Sequence, residues 1–221
     1  MPSSLFGKDS CQSQQGTWHF ESMLKDQGLW PVAGVDEVGR GCLAGPVVAA
    51  AVILPYDISS KGITDSKKLT SIQREKMAYI IKSVALAISI AQVEPKRIDE
   101  INILQASLEA MKHAVEGLSI KPKAILVDGN QQLSVSIPQK AITKGDSRSC
   151  SIAAASIVAK IYRDNIMINY ARKYPCYLFD KHKGYGTRKH RQLLEKFGPC
   201  PIHRKSFKGV VQNEKAFNPK G

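Results

Sequence analysis

The sequence has few of the features that mark secreted, membrane-spanning or repetitive proteins. Its five cysteines are scattered without a C-x-x-C pair, which argues against a disulfide framework and a zinc ribbon. The first thirty residues contain no apolar core of a signal peptide, and the longest apolar run, 47–54, is too short to cross a bilayer. No internal repeat is present. We therefore expect a soluble, cytoplasmic protein with no membrane partner.

Positive charge is what the chain has in excess. Lys and Arg number 32 against 19 Asp and Glu, which gives a formal net charge of +13 over 221 residues. The cations are spread along the sequence and are not gathered in one helix, which favours nucleic acid over a membrane as the anionic partner. A purely solubilising role is the alternative. The length is sufficient for one sizeable core.

Two adjacent carboxylates, Asp36 and Glu37, lie inside the apolar run 32–54. Burial of an unpaired charge costs on the order of several kcal/mol. A divalent cation, which takes oxygen ligands, is the usual compensation. Gly39, Arg40 and Gly41 follow as a turn whose backbone N–H groups can approach a ligand closely. The alternative is a solvated Asp-Glu turn. Neighbouring strand residues point to opposite faces, so a shared site requires an irregularity or a strand end.

Alternation of apolar residues and turn signals predicts an α/β chain. The predicted strands are 32–38, 47–54, 85–93, 124–127 and 140–143. The predicted helices are 20–27, 70–83, 101–115 and 149–173. Thr70 and Gln73 have the spacing of a capping box, and Gly117 follows the third helix as a stop. From residue 174 the pattern predicts mostly loops.

Two further aspartates lie at the ends of predicted elements. Asp128 directly follows the strand 124–127, at the position where open α/β sheets place ligands, although an ordinary Asp-Gly turn would look the same. Asp146 lies just before the long helix, whose small side chains allow close packing on the sheet. Asp164 is eighteen residues further on, roughly 27 Å along a helix, so we interpret it as the partner of Lys160 or Arg163 in a structural ion pair.

Tyr185 lies between two glycines and amid cations, in the segment K-H-K-G-Y-G-T. An aromatic face beside phosphate-attracting side chains is typical of nucleic-acid binding, and a loop tyrosine that covers the edge of the core is the alternative. The five histidines have no metal-ligand spacing, so we expect each to be solvated or structural. If Asp36, Glu37, Asp128 and Asp146 converge, their repulsion calls for divalent cations, and two such ions can support in-line hydrolysis of a phosphodiester.

Five motifs in order resemble one known family. They are G-V-D-E-V-G-R-G-x-L-A-G-P-V, D-S-K-K-L, a strand that ends in D-G-N, K-G-D followed by S-I-A-A-A-S-I-V-A-K-x-x-R-D, and K-G-Y-G-T. Together they span about residues 32–190 and resemble type 2 ribonuclease H, the ribonuclease HII family. The resemblance implies an α/β, ribonuclease H-like fold with a mixed five-stranded sheet flanked by helices. It further implies an N-terminal extension (1–30), a catalytic domain (31–185) and a helical or loop C-terminal segment (186–221) packed on that domain.

The resemblance implies a metal-dependent endonuclease and its site. Its substrates would be RNA·DNA hybrids and duplex DNA with an embedded ribonucleotide, cut 5′ of the ribonucleotide to leave a 3′-hydroxyl and a 5′-phosphate, with Mn²⁺ or Mg²⁺ as cofactor. The implied metal ligands and catalytic residues are Asp36, Glu37, Asp128 and Asp146. The implied substrate-binding residues are Gly39, Arg40, Gly41, Lys67 and Tyr185. The turn would test the 2′-hydroxyl, and the tyrosine would stack on the next deoxyribose. We expect a monomer.

Two departures from the family pattern are visible. Cys42 stands where the family commonly has proline, and the N-terminal extension is longer than a minimal member needs. Arg40 argues against the type 3 relatives, which lack G-R-G and carry a larger N-terminal domain. Two other functions stay open: a basic nucleic-acid-binding protein without catalysis, and a nuclease of the same fold that acts on DNA. Four clustered acids give a mere polyanion binder no advantage.

Overall fold

A mixed five-stranded sheet lies at the centre of the protein, which a computed structural model describes for residues 18–56, 63 and 69–210. The strands are β1 (Val32–Val38), β2 (Val47–Ile53), β3 (Ala87–Val93), β4 (Ala124–Asp128) and β5 (Gln139–Ile142). The helices are α1 (His19–Asp26), α2 (Ser71–Val84), α3 (Pro95–Glu116), α4 (Cys150–Lys173), α5 (Phe179–His182) and α6 (Arg188–Phe197). The predicted sheet and fold class are confirmed.

The strand order β3-β2-β1-β4-β5 makes β1 the central strand. β1 pairs with β2 and β2 with β3 in antiparallel fashion, whereas β1–β4 and β4–β5 are parallel. In the parallel pair Val35 lies opposite Val127. The next residue of each strand is therefore an aspartate, and the parallel register brings Asp36 and Asp128 to the same end of neighbouring strands.

Helices cover both faces of the sheet, as a largely buried sheet requires. α3 contributes Ala106, Ala110 and Ala114 to the apolar cluster on one face. α4 packs so closely on the other face that a Cβ at Gly34 would lie 2.0 Å from the carbonyl carbon of Ser151. The small side chains of α4 thus allow the close packing expected from the sequence, and Gly34 is required by it.

Side-chain caps fix where two helices begin. Thr70 and Gln73 form the predicted capping box, with bonds of 2.9 and 3.2 Å. At α3 the helix predicted over 101–115 is present, but it begins earlier, at Pro95, and is interrupted at Asn102. Asn102 has a φ of 66°, and its Oδ1 accepts hydrogen bonds from the N–H groups of Leu104 and Gln105. This asparagine ends one helix and caps the next. Apolar periodicity does not reveal such a break, because it continues through both helices.

The C-terminal part is more helical than the loop-rich pattern indicated. Thr187 Oγ1 accepts a hydrogen bond from the His190 N–H at 3.2 Å and begins α6. This part packs against the β1–β2 connection through Leu43, Tyr177 and Phe179, which share one apolar cluster. Among the described residues no helix is both long and apolar enough to cross a membrane.

Candidate active site

The four predicted acids come from three parts of the fold that meet at the carboxyl ends of β1 and β4. Asp36 and Glu37 lie near the end of β1, and Asp128 is the last residue of β4. Asp146 lies in a 3-10 turn (Gly145–Ser147) that directly precedes α4. The side chains of Asp36 and Asp146 are nearly inaccessible, since each residue is 5% exposed.

Asp36 experiences the charge of all three other carboxylates. Burial raises the pKa of Asp36 well above its ordinary value, the negative charges of Glu37, Asp128 and Asp146 raise it further, and a hydrogen bond from Ser156 opposes them. Burial also raises the pKa of Glu37, against the effect of Arg40. The fold therefore concentrates like charges at a buried position.

A cleft of about 210 Å³ opens beside these carboxylates. Its wall is formed by Asp36, Glu37, Val38, Arg74, Asp128, Ser156, Lys160 and Tyr185. Acidic residues thus meet two cationic side chains and one aromatic ring. Such a cleft can hold cations against its acidic side and attract a phosphate to its basic side.

The carboxylates are also engaged with the protein. Asp36 Oδ1 accepts the Glu37 N–H at 2.7 Å, Asp128 Oδ1 accepts the Gly145 N–H at 2.6 Å, and Arg40 Nη1 lies 3.3 Å from Glu37 Oε1. As they stand, no three Asp, Glu, His or Cys side chains in the described residues are arranged to hold a metal ion. The donor set nonetheless fits a hard divalent cation, because its charge would offset the repulsion at Asp36. Binding would have to draw the carboxylate oxygens together.

The turn after β1 is fixed by a buried arginine. Gly39 has a φ of 98°, and a Cβ there would lie 2.2 Å from Arg163 Nε. Arg163 donates to the carbonyl oxygens of Pro46, Ala44 and Lys183 at 2.9, 3.0 and 2.9 Å. One guanidinium therefore joins the turn to the segment that carries Tyr185.

A second buried arginine, Arg204, holds the turn from the C-terminal side. Its Nη1 donates to the Arg40 carbonyl oxygen at 2.9 Å, and its Nε and Nη2 donate to that of Gly45 at 3.0 and 2.9 Å. Gly41 is exposed, with open space where a Cβ would be. The turn is thus rigidly supported from behind while its outer side is accessible to a ligand.

Tyr185 is 39% exposed and lines the cleft. Its backbone forms an antiparallel bridge with Cys42, in the same connection as the turn. Lys160 Nζ lies 5.6 Å from the centre of its ring. The structure therefore brings the tyrosine to the cleft that Asp36, Glu37 and Asp128 line, and joins its segment to the connection that contains the turn. Lys67, the remaining predicted substrate contact, lies outside the described residues.

Several residues at the site were not singled out for it by the sequence. Ser156, Lys160 and Arg163 occur at spacings of four and three, which places them on one face of α4. That spacing could have indicated a polar face directed at the site. The small residues around it indicated instead that this part of the helix packs on the sheet. The predicted structural ion pair of Asp164 is confirmed, since Asp164 Oδ1 lies 2.8 Å from Lys160 Nζ.

The N-terminal segment contacts the start of α4, which follows the turn of Asp146. Glu21 of α1 is fully buried, and its Oε1 accepts hydrogen bonds from Ser149 Oγ at 2.6 Å and the Ser151 N–H at 2.9 Å. Burial raises the pKa of Glu21. This carboxylate ties α1 to the start of α4, directly after the turn that carries Asp146. Sequence analysis assigned no chemistry to this segment.

Comparisons with known proteins identify one family over most of the chain. The family model "Ribonuclease HII" matches residues 33–210. A ribonuclease HII of Syntrophobacter fumaroxidans is 53% identical over 196 residues, 89% of this chain and 84% of that protein. The ribonuclease H2 structure of Pyrococcus horikoshii superposes with a TM-score of 0.70 at 29% identity, covering 81% and 94% of the two chains. Bst ribonuclease HIII in complex with Mn²⁺ shares the fold, with a TM-score of 0.59 at 20% identity, covering 81% and 67%.

Proposed function

This chain belongs to the ribonuclease HII family and is an endonuclease, and we propose that it hydrolyses the RNA strand of RNA·DNA hybrids and nicks duplex DNA 5′ of a single ribonucleotide. The products would be a 3′-hydroxyl and a 5′-phosphate. The observation that carries the proposal is the burial of Asp36 among three other carboxylates beside a basic, aromatic wall. A protein that only binds polyanions would gain nothing from this concentration of negative charge.

The family implies a divalent metal, and we propose Asp36, Glu37, Asp128 and Asp146 as the residues that would hold it. Mg²⁺ and Mn²⁺ both prefer carboxylate oxygens, and the related ribonuclease HIII was solved with Mn²⁺. Two bound divalent ions would supply activation of the attacking water and stabilisation of the leaving oxygen in an in-line displacement.

The remaining side chains of the cleft position the nucleic acid. Lys160 and Arg74 offer cations to the phosphate backbone, and the exposed face of Tyr185 is available for stacking on the deoxyribose after the ribonucleotide. The Gly39–Arg40–Gly41 turn presents backbone groups that can test for a 2′-hydroxyl at close range. Lys67 stays a proposed contact. We further propose a cytoplasmic monomer.

A cleavage assay tests the proposal directly. A DNA duplex with one ribonucleotide is incubated with the protein, with Mg²⁺, with Mn²⁺ and with a chelator. We expect a nick 5′ of the ribonucleotide only with metal. Asp36→Asn and Asp128→Asn should abolish turnover and leave binding of the duplex largely intact. Asp180→Asn is the matched control, because Asp180 pairs with exposed Lys181 and does not line the cleft.

Two outcomes would contradict the proposal in different ways. Binding of the duplex without any metal-dependent nick would leave only the non-catalytic binder. Cleavage of all-DNA duplexes or junctions at a similar rate would indicate a nuclease of this fold with a DNA substrate. Full activity of Asp36→Asn or Asp128→Asn would show that the site is elsewhere.

A further inference from the structure

Three histidines lie behind Tyr185, outside the cleft that the proposed reaction uses. The rings of His182 and His190 are stacked, with centroids 4.2 Å apart and an interplanar angle of 15°. His190 Nε2 lies 3.1 Å from His203 Nε2. His190 and His203 are buried, at 0% and 2% exposure. Buried polar rings need defined hydrogen-bond partners, so the position of each proton can be deduced.

The partners fix one arrangement of protons. His190 Nδ1 is 2.9 Å from the Tyr185 carbonyl oxygen, which only accepts, so Nδ1 carries the proton and Nε2 is an acceptor. His203 Nε2 must then donate to His190 Nε2. His203 Nδ1 is left as an acceptor, and the Cys200 N–H donates to it at 3.0 Å. The chain of donors runs in one direction, from Cys200 to the carbonyl of Tyr185.

His182 completes the same pattern beside the chain. Its Nε2 donates to the Tyr177 carbonyl oxygen at 2.7 Å, and its Nδ1 accepts the Gly184 N–H at 3.3 Å. Every ring thus has one donor and one acceptor and is neutral. Burial lowers the pKa of His190 to about 4 and that of His203 to about 3, in agreement with this assignment.

The chain ends on the backbone of the tyrosine at the cleft. The Tyr185 carbonyl oxygen accepts from His190 Nδ1 and from the Thr187 N–H, at 2.9 and 2.8 Å. On the other side of the chain His203 forms a backbone bridge with Ala44. The histidines therefore connect the segment of Tyr185 to the β1–β2 connection that contains the turn.

We propose that His190 is a positioning residue for cleavage at a single ribonucleotide, because its Nδ1–H fixes the Tyr185 carbonyl and so the direction of the ring at the cleft. The inference rests on the proposed role of Tyr185 in stacking at the junction. A long hybrid offers many equivalent contacts, so displacement of one ring affects it less. His190 touches neither substrate nor metal and acts only through Tyr185.

Two substitutions separate the hydrogen bond from the packing. His190→Phe keeps a ring against His182 and Phe179 and removes the donor. We expect kcat/KM on the single-ribonucleotide duplex to fall about tenfold, as loss of one buried hydrogen bond implies, and to change by less than about threefold on a long hybrid. His190→Asn places an amide N–H near the position of Nδ1. It should restore kcat/KM on the single-ribonucleotide duplex to within about threefold of that of the unmodified protein.

Thr187→Ala is the matched control. It removes the cap of α6 and destabilises the same segment, but it leaves both hydrogen bonds to the Tyr185 carbonyl in place. We expect it to affect the two substrates equally. An equal loss on both substrates with His190→Phe, or no rescue with His190→Asn, would overturn the proposal.

A spectroscopic measurement on the unmodified protein covers the case in which His190→Phe does not fold. Long-range ¹H–¹⁵N correlation spectra should show His190 as the Nδ1–H tautomer and His203 as the Nε2–H tautomer at neutral pH. An Nε2–H tautomer at His190 would overturn the proposal. Tyr185→Ala separates the proposed role of the tyrosine from that of the histidine. An equal loss of activity on both substrates refutes the role of Tyr185. A selective loss with Tyr185→Ala, together with no loss in His190→Phe, refutes only the role of His190.

Discussion

At the scale of single residues, Asp36 determines the electrostatics of the site. It is almost fully buried, and three carboxylates raise the pKa that burial has already raised. Between the ordinary pKa and the raised one, the folded protein holds a proton that the unfolded chain has lost. The free energy of unfolding of the metal-free protein therefore falls as pH rises through this window.

Replacement of Asp36 by asparagine should remove this pH-dependent loss. In the presence of a chelator at pH 8, we expect Asp36→Asn to melt about 2–4 °C above the unmodified protein, which corresponds to about 1 kcal/mol for a chain of this size. The difference should shrink towards pH 4, where Asp36 is protonated. Differential scanning calorimetry of both proteins and of Asp180→Asn measures it. A variant less stable than the unmodified protein at pH 8 would contradict the electrostatic argument.

Tyr185 differs from Asp36 because it is proposed to select the substrate, not to hold metal. For Tyr185→Ala we expect a loss of about tenfold or more in kcat/KM on the single-ribonucleotide duplex, in the range of one lost stacking contact. A smaller loss is expected on a long hybrid. Tyr162→Ala is a suitable control, because Tyr162 is a similarly exposed tyrosine that does not line the cleft.

At the scale of elements, α4 carries much of the site. Its first turn follows the 3-10 turn of Asp146, and one face supplies Ser156, Lys160 and Arg163. The position of the helix depends on Gly34, which lets it lie directly on β1. A displacement of α4 would therefore move the proposed substrate contact Lys160 together with the turn that carries Asp146.

Gly34→Ala tests this dependence. Because the new Cβ would lie 2.0 Å from the backbone of α4, we expect a destabilisation of at least about 3 kcal/mol, a fall in Tm of about 6–12 °C. Gly41→Ala is the control for stability, since nothing lies within 4 Å of its Cβ position. Thermal denaturation of both variants gives the comparison. A similar Tm for the two would show that α4 adjusts without cost.

The elements were predictable where local chemistry decides them. β1 has the bounds that the sequence predicted, and the capping box placed the start of α2. The interruption at Asn102 was missed, because one asparagine cap outweighs a continuing apolar stripe. The segment 186–221 was expected to be helical or loop, but the start of α6 was not placed, because the surrounding glycines and prolines indicated loops. The division of the chain at residue 185 stays a prediction.

The site was predictable only in part. The acids and the turn form short motifs, whereas Arg163, Arg204 and Glu21 act by tertiary contacts over more than a hundred residues. A buried arginine that holds carbonyl groups resembles any surface cation in sequence. Residues of this kind can be recognised only when the chain that surrounds them is known.

At the scale of the whole molecule, we expect the charge of +13 to govern the encounter with nucleic acid. Each phosphate neutralised by Lys or Arg releases counterions, so affinity falls with salt. If four phosphates are contacted, Kd for the duplex should rise about 100-fold between 50 and 200 mM salt. Titration of inactive Asp36→Asn measures binding without turnover. A Kd that does not change with salt would indicate that the excess charge serves solubility.

The anchoring of the turn by Arg204 has a consequence for biosynthesis. All four acids have left the ribosome's peptidyl-transfer centre by residue 146, well before the arginine that clamps Arg40 and Gly45 is made. A nascent chain thus possesses the groups for hydrolysis long before it can hold the loop proposed to distinguish RNA from DNA. If the turn has the role proposed for it, selectivity would depend on a residue that is synthesised after all four acids.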